Sequence, residues 1–318
     1  MPADPTLAVL IPFRNGDRAL ASCLERLLPQ ARDGVRVVLV DDGSTTISDE
    51  VRRLAEPPAV EWIHHAICRG PGAARNTGVR WCREHGIGLV LLLDSDCIPD
   101  DDLVETHIRL HARSPDAVCI GGAIQGSGRG IWARLDGLAS WSTSIPGSPA
   151  RVVGGLYHIP TTNMSLKLGR IPWSGDWFDE ALRTGEDVAF VARLRQLGAR
   201  VLFEPRPVVR HQDRESFRGF LAHQYRWGLH TYALRTGRRL PPRGRWGWAV
   251  LLAFAVPAYA VASSLVNLAP WLRRSPLYVF CWPVLLLLYM VKGVALIVGV
   301  VAPSHALRSA TKVDAQPR

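Results

Sequence analysis

The chain lacks the cysteine spacing of a zinc or disulfide protein: its six cysteines form no CxxC pair and no zinc-type Cys/His cluster. A disulfide framework and a structural zinc are therefore not expected, and a reducing compartment is. A Walker A sequence is also missing. Gly70-Pro71-Gly72-Ala73-Ala74-Arg75-Asn76 puts Arg75 where a dinucleotide fingerprint needs its third glycine, so P-loop and dehydrogenase readings lose their main support. No basic stretch followed by an apolar one opens the chain, and a cleaved signal peptide is not expected. Charge is absent from Gly247–Trp271, and Pro276–Pro303 carries only Lys292.

Each of these apolar stretches exceeds the roughly 20 residues that span a hydrocarbon core as a helix. Trp246, Trp248, Trp271 and Tyr278 stand where interfacial rings sit, and Pro257 and Pro283 suit a membrane helix better than a soluble one. The formal charge of +10 is uneven, with ten arginines against three acids between Glu204 and Arg245, just before the first stretch. Such a run is expected to meet anionic membrane lipids, and no nucleic acid is expected as a partner. Arginines before the first span and Arg308, Lys312 and Arg318 after the second place both flanks on the cytoplasmic side. The expected location is the cytoplasmic membrane, multi-pass, although Arg273 and Arg274 sit in the crossing loop. Lys292 is expected to pair or snorkel. Phe217, Phe220, Leu221, Tyr225 and Tyr232 recur at helical spacing, which suits a helix on the membrane surface or one packed on the soluble domain.

The first hundred residues alternate in a different way. Leu7–Pro12, Val35–Val40, Val60–Ile63 and Gly88–Leu93 read as strands, the second an unbroken run of the kind buried on both faces of a parallel sheet. Leu20, Cys23, Leu24, Leu27 and Leu28 line one helix, capped by Asn15 or Asp17, and Gly72–Glu84 forms another. This alternation predicts an α/β fold with a Rossmann-like, mostly parallel sheet. Ligands of such sheets bind beyond the carboxyl ends of the strands. Asp41-Asp42-Gly43-Ser44 and Asp94-Ser95-Asp96 both stand there. Two acidic clusters so placed suit a nucleoside diphosphate bridged by Mg²⁺ or Mn²⁺, with Asp96 on the metal, Asp94 toward ribose hydroxyls, and Asp41 or Asp42 accepting from a base.

Taken in order, Val9-Leu10-Ile11-Pro12, Val40-Asp41-Asp42-Gly43-Ser44, Gly72-Ala73-Ala74-Arg75-Asn76, Asp94-Ser95-Asp96, Thr162-Asn163-Met164-Ser165 and Gly185-Glu186-Asp187 resemble the inverting family 2 glycosyltransferases of GT-A fold. The resemblance covers about residues 7–235. It implies that Pro12, Asp41, Asp42, Arg75, Asp94 and Asp96 bind a nucleotide-diphosphate sugar, and that Asp187, with Glu186 beside it, is the catalytic base. It also implies that Asn163 touches acceptor or donor hydroxyls. His211 is either a further metal ligand, as in some members, or structural. Trp173 and Trp177 either form a stacking platform for an acceptor sugar or pack the domain. Thr184 and Asp187 also suit a helix cap.

Gln224-Tyr225-Arg226-Trp227 falls one residue short of the Gln-x-x-Arg-Trp motif of processive synthases, so single-sugar transfer is expected. The expected acceptor is a hydroxyl of a membrane-proximal glycan or glycolipid. Transfer to polyprenyl phosphate is the alternative, and an inactive sugar-nucleotide-binding scaffold is a third. The expected layout is a catalytic domain over 1–235, with a nucleotide half to 100, an acceptor half over 101–210 and an interface helix over 211–235. A basic linker at 236–246, two transmembrane helices over 247–303 and a polar tail at 304–318 follow.

Overall fold

The computed structural model describes residues 7–32, 34–56, 60–155, 157–171, 173–182, 184–236 and 244–302. Arg238, Arg239 and Arg243 of the expected linker, and the tail with Arg308, Lys312 and Arg318, lie outside the described residues. The chain divides into two compact units. The first holds Met1–Gln125, Ser144–Ala181 and Glu186–Gln212; the second holds Gly126–Thr143, Leu182–Gly185 and Asp213–Arg318.

The first unit is built on strands β1 (Leu7–Phe13), β2 (Val35–Asp41), β3 (Val60–His64) and β4 (Leu89–Leu93) and on helices α1 (Arg18–Leu27), α2 (Asp49–Leu54) and α3 (Pro71–Glu84). The four strands run parallel in the order β3-β2-β1-β4. β1 begins with five fully buried residues, Leu7 to Ile11, which is why no polar/apolar alternation is visible in it. Asp17 caps α1 by accepting from Ala19 N, and Leu20, Cys23, Leu24 and Leu27 form its buried face.

The sheet continues differently. β5 (Cys97–Pro99), β6 (Ala117–Ser127), β7 (Arg151–Val152), β8 (Asn163–Lys167) and β9 (Arg200–Gln212) extend it to the order β3-β2-β1-β4-β8-β6-β9-β5, with β7 beside β9. The pairs β4–β8, β6–β8, β5–β9 and β7–β9 are antiparallel. The parallel pairs β1–β2, β2–β3 and β1–β4 all lie within the first four strands, where α1, α2 and α3 connect successive strands. Helices α4 (Leu103–Arg113) and α6 (Glu186–Gln196) complete the unit. One core gathers Leu10, Val38, Leu92, Met164, Trp177, Phe178, Phe190 and Phe203. Burying a large side chain of this kind contributes roughly 1.5–3 kcal/mol.

The second unit is helical: α5 (Gly130–Ser140), α7 (Phe217–Thr236), α8 (Arg245–Leu272) and α9 (Trp282–Val301), the last preceded by a 3₁₀ turn over Pro276–Cys281. Among its described residues the core collects Leu135, Leu138, Phe220, Leu268, Leu285 and Leu288. Polar pins hold it: Asn267 Nδ2 donates to Ala139 O at 3.1 Å and Ser142 Oγ at 2.9 Å, and Trp271 Nε1 donates to Leu138 O at 3.1 Å. α7 packs along α9, a neighbour the periodicity of its apolar residues did not identify. Gly228 permits this, since a Cβ there would stand 2.3 Å from Lys292 O. Lys292 Nζ lies over the rings of Trp227 and Tyr289, at 5.2 and 5.6 Å. α8, and α9 with its 3₁₀ turn, are each long and apolar enough to cross a membrane. Only 22% and 33% of their most apolar stretches are buried, so most of that surface is uncovered by protein.

Candidate active site

All sequence-predicted site residues except the membrane elements fall in the first unit. Asp41 closes β2 and Asp42 follows it, tied to β1 where Asp42 N donates to Phe13 O at 2.8 Å. Pro12 lies one residue before the end of β1, half-buried. Asp94 follows β4, and Asp96 precedes β5. Parallel pairing brings these strand ends to one edge of the sheet.

The two acids of the first cluster serve the chain itself. Asp41 Oδ1 accepts from Ser44 N at 2.9 Å and from the Ser44 hydroxyl, while Oδ2 faces His64 Nδ1 at 3.2 Å. Asp42 accepts from Arg69 N at 2.8 Å, Gly70 N at 2.7 Å and the Cys68 thiol at 3.1 Å, and meets His65 Nδ1 at 2.8 Å. Burial pushes its carboxyl up, but these hydrogen bonds outweigh burial and hold it below the usual range. Gly43, at φ +72, makes room for this loop: a Cβ there would lie 2.6 Å from Cys68 N. Asp42 lashes down the segment that leads into α3, and with 5% exposure it offers a nucleotide base little surface.

Arg75, in the first turns of α3, joins the second cluster to the Glu-Asp element. Nη2 donates to Asp94 Oδ1 at 2.7 Å and Nη1 to Glu186 Oε1 at 2.6 Å. Asp94 Oδ2 accepts from Thr162 Oγ1 at 2.8 Å. The antiparallel register pairs Leu93 with Asn163, which sets Thr162 opposite Asp94. Glu186 and Asp187 form the first turn of α6, and Asp187 Oδ1 accepts from Val188 N at 2.7 Å. Burial pushes Asp187 above the usual carboxylate range, with the Arg75 charge opposing it, and pushes Glu186 up to about 7 against the same charge. A carboxylate held so is a better proton acceptor near neutrality than an exposed aspartate. Asp94 and Glu186, 92 residues apart in the chain, therefore meet on one guanidinium, whose charge also bears on Asp187.

Asp96 Oδ1 stands 3.5 Å from His211 Nε2. The β5–β9 register produces this approach by pairing Cys97 with His211. An oxygen and an imidazole nitrogen facing each other fit the donor set of a divalent cation such as Mn²⁺. Among the described residues, no group of three or more His, Cys, Asp or Glu side chains forms a metal cluster. Two protein ligands leave the remaining positions of such an ion to phosphate and water.

Three of the candidate residues lie in the interior or pack on other side chains. Asn163 points inward. It is fully buried, its Oδ1 meeting His107 Nε2 at 2.9 Å and its Nδ2 donating to Ala123 O and Pro207 O, each at 3.0 Å. Trp177 packs, as the second of its two expected roles has it: it is 3% exposed, stacked on Phe190 at 5.6 Å and covered by Arg83 at 5.1 Å. Trp173 packs as well, edge-on to Phe190 and beneath the Arg193 guanidinium at 4.0 Å. Sequence reading also missed residues. Asn76 clamps the tryptophan loop, accepting from Trp177 N and Phe178 N and donating to Phe178 O. Thr162 was overlooked beside Asn163, although strand alternation puts neighbouring side chains on opposite faces.

The sequence profile described as glycosyl transferase family 2 matches residues 8–166, and that of glycosyl transferase family group 2 matches 89–296. The chain belongs to glycosyltransferase family 2. It is 31% identical over 230 residues to a pre-mycofactocin glycosyltransferase of Mycobacterium tuberculosis, covering 71% of this chain and 47% of that protein. The chain thus spans about half the length of this relative. Chondroitin synthase of Escherichia coli is 33% identical over 120 residues, 36% of this chain and 17% of that one. The fold is shared with the mannosyltransferase PcManGT from Pyrobaculum calidifontis, solved with GDP-Man and Mn²⁺, at TM-score 0.56 and 19% identity over 92% of this chain and 87% of that one. Residues 1–349 of S. aureus TarS match at TM-score 0.52 and 15% identity, over 94% of this chain and 91% of that one.

Proposed function

We propose that the chain is a membrane-anchored transferase that moves one sugar, with inversion, from a nucleotide-diphosphate sugar to a hydroxyl of a membrane-proximal glycan or glycolipid. One observation carries the reading: Arg75 gathers Asp94, from the strand end where a diphosphate would lie, and Glu186, the neighbour of Asp187. Family membership and a structural neighbour that binds GDP-Man and Mn²⁺ support it.

Asp187 serves as general base. It takes the proton of the acceptor hydroxyl as that oxygen attacks the anomeric carbon from the side opposite the leaving diphosphate. Burial suits it to this by keeping its proton affinity high. Asp96 and His211 would hold Mg²⁺ or Mn²⁺, which when bound neutralises charge on the diphosphate. Asp94, fixed by Arg75 and Thr162, presents its remaining exposed edge to the donor. Asp41 and Asp42 shape the donor end by holding the loop from 64 to 70. The apolar faces of α8 and α9 anchor the chain in the cytoplasmic membrane, the arginine-rich stretch before them meeting anionic lipid on the cytoplasmic side.

The test is release of nucleoside diphosphate from a panel of nucleotide sugars, with and without Mn²⁺, across glycan, glycolipid and polyprenyl phosphate acceptors. Metal-dependent release with a hydroxyl acceptor is expected. Release with polyprenyl phosphate alone replaces this acceptor class, and no release or hydrolysis with any donor leaves a binding scaffold.

A further inference from the structure

Arg75 fits poorly the nucleotide-contact role that the resemblance gives it. Its residue is 4% exposed, and both terminal nitrogens are engaged by the protein's own carboxylates. The ring of Phe178 lies 5.9 Å from the guanidinium carbon. Nε is buried without a hydrogen-bond partner among the described residues, and at 4% exposure the group presents little surface to a phosphate. What it does hold is a pair of carboxylates from two distant segments, the end of β4 and the first turn of α6.

We propose that Arg75 is a positioning residue that couples the donor end of the site to the base, fixing the first turn of α6, and with it the Asp187 carboxylate, relative to Asp94. The inference rests on the reading of Asp187 as base. A planar guanidinium sets both the distance and the angle between the groups it binds, which the point charge of a lysine does not. Glu186 and Asp187 are consecutive on one helical turn, so the grip on Glu186 is a grip on its neighbour. Asn76, the next residue of α3, holds the backbone of Trp177 and Phe178, so adjacent residues of one helix anchor two segments from the later part of the unit. The charged groups bearing on Asp187 are Arg75 of α3, Asp94 after β4 and Glu186 on its own helix. Arg75 is the cation among them. Its presence opposes the effect of burial on the base.

The test compares wild type with Arg75→Lys, Arg75→Gln, Glu186→Ala, Glu186→Gln and Asp187→Asn. Binding of UDP and GDP with Mn²⁺ is measured by calorimetry, and nucleoside diphosphate release is followed against pH. Arg75→Lys and Arg75→Gln are expected to lower kcat about 30-fold or more while Kd stays within about threefold. The acid limb of the pH profile moves to higher pH in Arg75→Gln, which loses the charge, and stays near wild type in Arg75→Lys, which keeps it. Glu186→Ala loses kcat to a similar degree, and Glu186→Gln, which keeps an oxygen for Nη1, recovers part of it. A tenfold weaker Kd with unchanged kcat in the Arg75 variants makes Arg75 a donor contact and overturns the proposal. Unchanged kcat and an unmoved acid limb overturn it too. Should Arg75→Gln not fold, Arg75→Lys decides by the same split between kcat and Kd. Asp187→Asn separates the two ideas: wild-type turnover there removes the base itself, whereas its inactivity beside fully active Arg75 variants removes only the coupling. A panel with no release removes both.

Discussion

The two halves of the sheet place polar residues differently. In the parallel half, Asp41, Asp42 and Asp94 stand at strand ends, where the chain turns and a carboxylate stays close to the ligand-binding edge. In the antiparallel half, Asn163 and the loop tryptophans are folded inward and act as structure. A polar residue after a parallel strand is at the functional edge by topology. Asn163 at the start of β8 and Thr162 just before it are both buried, Asn163 bonding Ala123 O and Pro207 O while Thr162 reaches Asp94. Substitutions at Asp94 and Asp187 should therefore alter binding or turnover, those at Asp41 and Asp42 should loosen the loop from 64 to 70, and substitutions in the second group should alter stability.

The largest effect expected on chemistry is at Asp187. Asp187→Asn should reduce sugar transfer by about 10³-fold, the range of general-base catalysis, and leave nucleoside diphosphate affinity within about threefold. Rate assays with calorimetry check this, and near-normal turnover breaks the assignment. On the structural side, Trp177→Ala should cost about 3–5 kcal/mol in denaturant unfolding, as the loss of a buried aromatic does, with donor affinity retained. Trp177→Phe should cost under about 1.5 kcal/mol, because it keeps the stack on Phe190. A Trp177 variant of normal stability that loses acceptor use would restore the platform and erase the contrast.

A smaller effect comes from His107 and His111, which lie behind Asn163 and share the Ser165 hydroxyl at 2.8 and 2.9 Å. Burial holds them down to about 4 and about 3. Both are neutral in the folded protein, so their contribution is complete above the unfolded value near 6.5 and is lost as pH falls toward 4. Each adds at most about 1.4 kcal/mol per pH unit to the slope of unfolding free energy across that window. His107→Gln should flatten the slope; an equally steep slope in that variant would assign it to other groups.

Strands β1 to β4 and their acids were legible because unbroken apolar runs and strand-end motifs are local signals. The predicted runs Leu7–Pro12 and Val35–Val40 each fall one residue short of the observed strand. The Arg75–Glu186 pair was not legible, since it links residues 111 apart and depends on how α3 and α6 lie on the sheet. Nor were the partners of α7, because an apolar stripe specifies a face and not what covers it: Trp132 of α5 meets Phe217 and Phe220, and α9 approaches at Gly228. Composition alone assigned Trp173 and Trp177 two equal roles, and only the position of Phe190 separates them.

Whether the strand-end acids form a cation-assisted diphosphate site is tested most directly by titrating UDP and GDP into the full-length protein with and without Mn²⁺, for wild type and Asp96→Asn. Binding of at least one nucleotide should require the metal and weaken at least tenfold in Asp96→Asn. Equal affinity without metal, or undiminished metal-dependent binding in that variant, would contradict the site described here.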